Sequence, residues 1–309
     1  MTQKNLILFT FILAFFVILL GAFTRLTDAG LSCPDWPNCY GYITAPHTES
    51  QIQNATQQYP ATPVNVKKAW TEMTHRYFAG TEGLLILILS LTTLFARKMR
   101  NLKSTFIAVS LLAMVVVQIV LGMLTVTKNL KPVIVLMHLL TGLSILGVLW
   151  WAFLDCYYRG KSLIANTSIK PFLWFALILV SLQIALGGWV STHYAGLACV
   201  DFPYCNGELI PAMQWSQLDS DLVSIHMLHR FGALITGIYL AILSFVLLKR
   251  SSFRVSGMLI LGLLITQITL GILNIVLLRP VHVAMTHEAV AILLLLAVIT
   301  TLVKGHQHD

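Results

Sequence analysis

The sequence predicts an all-α, polytopic membrane protein of eight transmembrane helices, arranged as two tandem, pseudo-symmetric four-helix bundles. Three observations predict it. Of 309 residues, 57% are hydrophobic and only 10% charged, against about 25% charged in soluble domains. The mean hydropathy of +0.80 leaves more apolar side chains than a core of this size can bury, so most face lipid. Eight apolar runs are each long enough to cross roughly 30 Å of hydrocarbon, and the second half of the chain repeats the first. A water-soluble fold is excluded. The formal charge of +8 is no nucleic-acid signal, because the 20 Lys and Arg collect in short segments between apolar runs, a pattern of membrane topology.

Taken in order, the spans lie near 5–25, 70–95, 104–127 and 133–154, then near 171–192, 223–248, 255–278 and 281–303. The first opens on Lys4, as a signal peptide does, but no small-residue cleavage site follows and the run is long, so it is expected to stay as a helix. Eight spans return both termini to one side. That side holds Lys4, Arg97, Lys98, Arg100, Lys103, Arg159, Lys161, Lys170, Lys249, Arg250, Arg254 and Lys304, opposed only by Asp155 and Asp309. The positive-inside rule therefore places both termini in the cytoplasm and turns the long loops, 26–69 and 193–222, outward. From Ser50 to Asn65 the first loop is rich in Gln, Asn, Thr and Pro, a composition that predicts a flexible connector.

The repeat divides the chain into halves, 1–155 and 156–309. GAFTRLTDAGLSCPDWPNCYG (Gly21 to Gly41) is matched by GGWVSTHYAGLACVDFPYCNG (Gly187 to Gly207), with AGL, both Cys and the Pro at identical offsets. EMTHR (Glu72 to Arg76) parallels HMLHR (His226 to Arg230). QIVLG (Gln118 to Gly122) and QITLG (Gln267 to Gly271) each precede a His, His138 and His287, by the same interval. Four spans per half in the same orientation fit parallel transporter repeats or bundles that house cofactors between their helices.

Four of the ten His fall inside spans at equivalent repeat positions: His75, His138, His229 and His287. A single His in an apolar helix is most often a packing residue, whereas ionisable residues in a span are functional candidates. Their pairing favours function. Each half offers one imidazole about six residues into its second span and one about six into its fourth, roughly 9 Å below the outer surface. Two imidazoles at one depth suit a planar macrocycle held from both faces, as in bis-His haem, and so predict two haem sites. Zinc would want further Cys or carboxylate ligands at that depth. His47, His193, His282, His306 and His308 are background.

Arg25, Arg76, Arg230 and Arg279 lie near outer helix ends, placed either to hold propionates or to snorkel to the interface. Glu72 precedes His75 by three residues and shares its helix face, while the second half has His226 there. Glu72 is a wetted interfacial carboxylate or a sign that the halves divide labour, with reaction in the first and electron handling in the second. Glu82, seven residues past His75, has no assigned role, and Glu288 points about 100° away from His287 around the helix.

Cys33 with Cys39 and Cys199 with Cys205 are C-x5-C pairs in outward loops, where disulfides persist, while Cys156 lies on the reducing side. Two short disulfides are expected, each closing a loop over its bundle with Trp36 and Pro37 or Phe202 and Pro203 shaping it. The structural reading leads; a labile, redox-active pair is the sharper one, applied first to Cys33 and Cys39.

The segment TRLTDAGLSCPDWPNCYG, the EMTHR and HMLHR motifs and the two later His together resemble the haem A synthase family, with its bacterial and mitochondrial members, over essentially the whole chain. The resemblance implies two similar four-helix bundles and oxidation of the C8 methyl of haem O to the formyl group of haem A, by two hydroxylations and loss of water. It implies that His75 and His138 ligate the substrate haem, that Glu72 stands beside the methyl, and that His229 and His287 ligate a haem b cofactor. Cys33 and Cys39 match the family's outer-loop pair, and Cys199 and Cys205 the second pair found in many members. Glu82 maps to no family feature. Haem O synthase and haem-copper oxidase assembly factors are the implied partners, with membrane lipid around the chain and no nucleic acid. A homo-oligomer is left open, no lipid-facing stripe marking an interface. The span that begins by residue 5 leaves no room for a transit peptide, so a bacterial cytoplasmic (inner) membrane is expected. Two rivals share the four His: a di-haem cytochrome b for electron transfer, which has no need of Glu72 in one half, and a haem carrier.

Overall fold

The computed structural model describes residues 2–95, 101–159 and 167–306. Arg97, Lys98, Arg100, Lys161, His308 and Asp309, which enter the charge and His arguments, lie outside the described residues. Nine α-helices are found among the described residues: α1 (Gln3–Leu26), α2 (Glu49–Gln58), α3 (Val66–Phe95), α4 (Leu102–Thr127), α5 (Pro132–Tyr158), α6 (Lys170–Thr192), α7 (Leu222–Leu248), α8 (Arg254–Val276) and α9 (Val281–His306). All but α2 are long and apolar enough to cross a membrane, so the chain is a multi-pass membrane protein.

Three spans start on side-chain caps. Thr2 accepts from the Asn5 N–H, Asn101 forms a capping box with Ser104, and Asp221 accepts from the Ser224 N–H at 2.9 Å. Seven of the eight spans begin within two residues of expectation. The exception, α3, begins at Val66 rather than 70, because Asn65 Oδ1 accepts from the Lys68 N–H at 3.1 Å and nucleates one more turn. The turns between spans recur in both halves. Asn129 and Leu130 before α5, and Leu278 and Arg279 before α9, all take left-handed φ between 51° and 58°. That geometry costs non-glycine residues roughly 1 kcal/mol each. Bonds from Leu130 N–H to Thr125 O (2.8 Å) and from Arg279 N–H to Asn274 O (2.7 Å) offset it.

The chain forms two compact units, 1–153 and 154–309. In the first, α1 packs on α3 and α3 on α4, and Phe11 of α1 stacks on Trp150 of α5 at 4.7 Å. In the second, α6–α7, α7–α8, α8–α9 and α9–α6 contacts close a ring of four helices.

The stretch from Ser50 to Asn65 corrects the expectation of a flexible connector. Thr48 caps α2 in a capping box with Gln51, and Ala55 joins Cys33, Cys39, Tyr40, Ala45, Ala69 and Met73 in a buried cluster. Tyr59 covers it, edge-on to Tyr40 at 5.5 Å. Composition hides this small core because its members are few and small, and only the disulfide and the extra turn of α3 assemble them.

Candidate functional site

The four span histidines are carried by α3, α5, α7 and α9, and each ring lies against a glycine of the preceding membrane-spanning helix. Within each unit the two imidazoles are close enough to interact electrostatically, His75 with His138 and His229 with His287. Nδ1 of His75, His138 and His287 is buried without a hydrogen-bond partner, a state that costs about 1–3 kcal/mol per group unless something answers it. No group of three or more His, Cys, Asp or Glu able to hold a metal ion converges among the described residues. Paired imidazoles without a third ligand fit the axial positions of a haem and do not fit a tetrahedral zinc site.

Beside these rings stand glutamines. Gln183 Nε2 lies 3.0 Å from both Nδ1 and the carbonyl oxygen of His229, and Gln267 Nε2 lies 3.2 Å from His287 Nε2. Sequence reasoning missed this, although QIALG (Gln183 to Gly187) is a third copy of the pentamer seen as QIVLG and QITLG, and VILLG (Val17 to Gly21) a fourth with Val for Gln.

Glu72, on the extra-long α3, is 3% exposed. Its Oε1 accepts from Arg76 at 2.5 Å and its Oε2 from the Cys33 N–H at 2.9 Å. The other terminal nitrogen of Arg76 donates to the carbonyls of Asp35 (3.0 Å), Pro37 (3.1 Å) and Asn38 (2.7 Å). Arg76 thus joins the carboxylate to the outer loop.

That loop is closed by the Cys33–Cys39 disulfide, and the second by Cys199–Cys205. Both expected pairs form, and Cys156 stands outside them. The loops share one hydrogen-bond plan. The Asp35 carboxylate accepts from the N–H groups of Tyr40 (2.6 Å) and Gly41 (2.8 Å), and Asp201 from those of Asn206 (2.6 Å) and Gly207 (2.9 Å). The chain turns back through positive φ, with Gly41 at 78° and Gly207 at 87°, values that glycine adopts without a Cβ penalty. The Gly207 N–H holds the Asp201 carboxyl below its ordinary value, and the Asn206 N–H and Arg230 add to this. Burial raises the Tyr40 hydroxyl above its ordinary value, with the charges of Glu72 and Asp35 adding to it.

In the second unit Arg230 repeats the loop contact, donating to the carbonyls of Asp201 (3.0 Å) and Tyr204 (2.8 Å). Its neighbour one turn back differs: His226 Nδ1 lies 2.8 Å from the Ala195 carbonyl, where the first unit has the Glu72 carboxylate. The remaining arginines divide between the halves. Arg25 pairs with Asp28 at 3.6 Å. Arg279 packs its Cδ against Gly196, where the first unit has Leu130 against Gly30.

Comparison with known proteins adds the relationship. Residues 4–299 match the COX15-CtaA family, described as cytochrome oxidase assembly protein. A Shewanella oneidensis protein named Heme A synthase is 36% identical, covering 94% of this chain and 93% of its own. Proteins of the same name from Ehrlichia ruminantium and Neorickettsia sennetsu are 30% and 27% identical, covering 75% and 90% of this chain and 73% and 91% of their own.

Proposed function

The chain belongs to the COX15-CtaA family of cytochrome oxidase assembly proteins, and from that premise we propose how it works as a haem A synthase, the membrane enzyme that oxidises haem O to haem A. The carrying observation is an asymmetry between similar units: both have a half-buried imidazole pair, and only the first sets a buried carboxylate, Glu72, one helical turn from its His.

In this reading His75 and His138 hold the substrate haem O in the first half, and His229 and His287 hold haem b in the second. Haem b, when bound, supplies a one-electron redox centre. Glu72 faces the C8 methyl, whose oxidation to a formyl group by successive hydroxylation passes its electrons to an external acceptor, and its carboxylate takes up a proton released from the reacting carbon or steadies positive charge developing there. Arg76 and the Cys33 N–H keep both oxygens in place, so orientation is set before substrate arrives. Arg279 is the best placed of the four arginines for a propionate, since Arg25 pairs with Asp28 and the terminal nitrogens of Arg76 and Arg230 are directed at loop carbonyls. The disulfide loops cover the outer ends of the two halves, 1–155 and 156–309.

The same reading puts the protein in a bacterial inner membrane with both termini cytoplasmic, as the charge distribution supports. Haem O synthase stands upstream and haem-copper oxidase assembly downstream. A di-haem electron-transfer protein or a haem carrier would have no use for Glu72 in one half alone. The test is expression in a host that makes haem O but no haem A, followed by haem extraction and chromatography with mass detection. A formyl-bearing haem is expected; haem-loaded protein yielding only haem b and haem O would overturn the assignment.

A further inference from the structure

Each of the four span histidines meets a glycine so closely that any other residue there would crowd its ring. A Cβ built on Gly21 would lie 3.1 Å from Cε1 of His75. Built on Gly122, Gly187 and Gly271, it would lie 3.2 Å from Cε1 of His138, His229 and His287. Carbon atoms in good contact sit about 3.5–4.0 Å apart, so a methyl there would push each ring by a few tenths of an ångström. The contact recurs on four different helix pairs, α1–α3, α4–α5, α6–α7 and α8–α9, always with the same ring atom. Two pairs interlock in return: Gln118 fills the space at Gly142 on the helix of His138, and Gln183 that at Gly232 on the helix of His229. Other span glycines meet backbone or non-imidazole side chains, as Gly257 meets the Ser244 carbonyl at 2.9 Å, or meet nothing. A Cβ on Gly80 or Gly262 would meet nothing within 4 Å.

We propose that Gly21, Gly122, Gly187 and Gly271 are positioning residues, each the seat against which one imidazole is held in the orientation that presents its coordinating nitrogen to a haem. This rests on the reading of the four His as haem ligands. A push of a few tenths of an ångström takes up most of the roughly 0.5 Å of misplacement that sites of this kind tolerate, so a methyl on the seat distorts the ligand geometry. The missing side chain is therefore the functional feature.

The test uses full-length protein purified with its bound haem. Gly187→Ala and Gly271→Ala are compared with Gly80→Ala and Gly262→Ala, and with His229→Ala, by b-type haem per protein and by the EPR g-values of the low-spin haem. The seat variants are expected to lose haem and shift g-values, while the two controls match the parent. If the seat variants behave like the controls while His229→Ala loses its haem b, the seats are wrong and the ligand reading stands. If His229→Ala keeps its haem and g-values, the ligand reading falls and the seats fall with it. Where a seat variant folds poorly, its loaded fraction decides: unchanged g-values mean the glycine serves only packing, and the proposal is overturned.

Discussion

The backbone N–H of Cys33 donates to Oε2 of Glu72 across 2.9 Å. A loop closed by a disulfide and the carboxylate that has no counterpart in the second unit are therefore one hydrogen-bonded assembly, completed by Arg76.

Replacing Glu72 by Gln keeps the shape of this assembly and removes the negative charge. Haem A formation should fall by at least about 100-fold, the usual size of a lost general-base or electrostatic contribution, while haem b stays bound. Extracted-haem chromatography on purified protein checks both; undiminished product would remove Glu72 from the reaction.

The two imidazole pairs should fail separately. His229→Ala and His287→Ala should empty the protein of haem b, whereas His75→Ala and His138→Ala should leave haem b in place and abolish product. Haem stoichiometry by pyridine haemochrome spectra reads this directly. Loss of haem b from the His75 variant, with retention in the His229 variant, would reverse the division of the halves.

Arg76 is 12% exposed at its side chain and Glu72 4%, so breaking their pair leaves a buried charge uncompensated, at about 3–5 kcal/mol. Arg76→Ala should therefore lower thermal stability markedly. Arg76→Lys should recover part of it, since one ammonium cannot span Glu72 and three loop carbonyls together. Equal melting of Lys and Ala variants would show that the paired charge, not the fork of donors, is immaterial.

Removing either disulfide by a Cys→Ser pair should cost about 2 kcal/mol, the low end expected for so short a loop. Only Cys33→Ser with Cys39→Ser should also depress product, because only that loop holds Glu72. Melting curves and product yields for both pairs distinguish the loops; equal losses of product would break the link between Cys33 and Glu72.

Asp201 lies outside the spans, and its carboxyl is held below the ordinary value of 3.8, chiefly by the Gly207 N–H. A folded-state value below the unfolded one means that the stabilisation is complete above the ordinary value and is lost as pH falls through the lowered one. Protection of the Asn206 and Gly207 amides, corrected for intrinsic exchange, should thus stay level from neutral pH down to the ordinary carboxylate value and drop only below it. In Asp201→Asn that drop should vanish. A loss of protection centred near neutral pH would contradict the assignment.

Sequence alone determined the eight spans, the two cysteine pairings and the four recurring histidines, because hydropathy, chain spacing and internal repetition are local or periodic properties of the chain. It also marked Glu72 as unmatched. Tertiary structure decided what these residues touch. Glu72 finds its second donor 39 residues away at Cys33, Arg76 turns to carbonyls 38 to 41 residues distant, and Ala55 is buried only because α2 folds back on the disulfide. The glycines beneath the imidazoles were printed in the sequence as ends of a repeated pentamer, yet their meaning waited on helix approach. A missing side chain acquires a role only when another helix comes close enough to occupy its place.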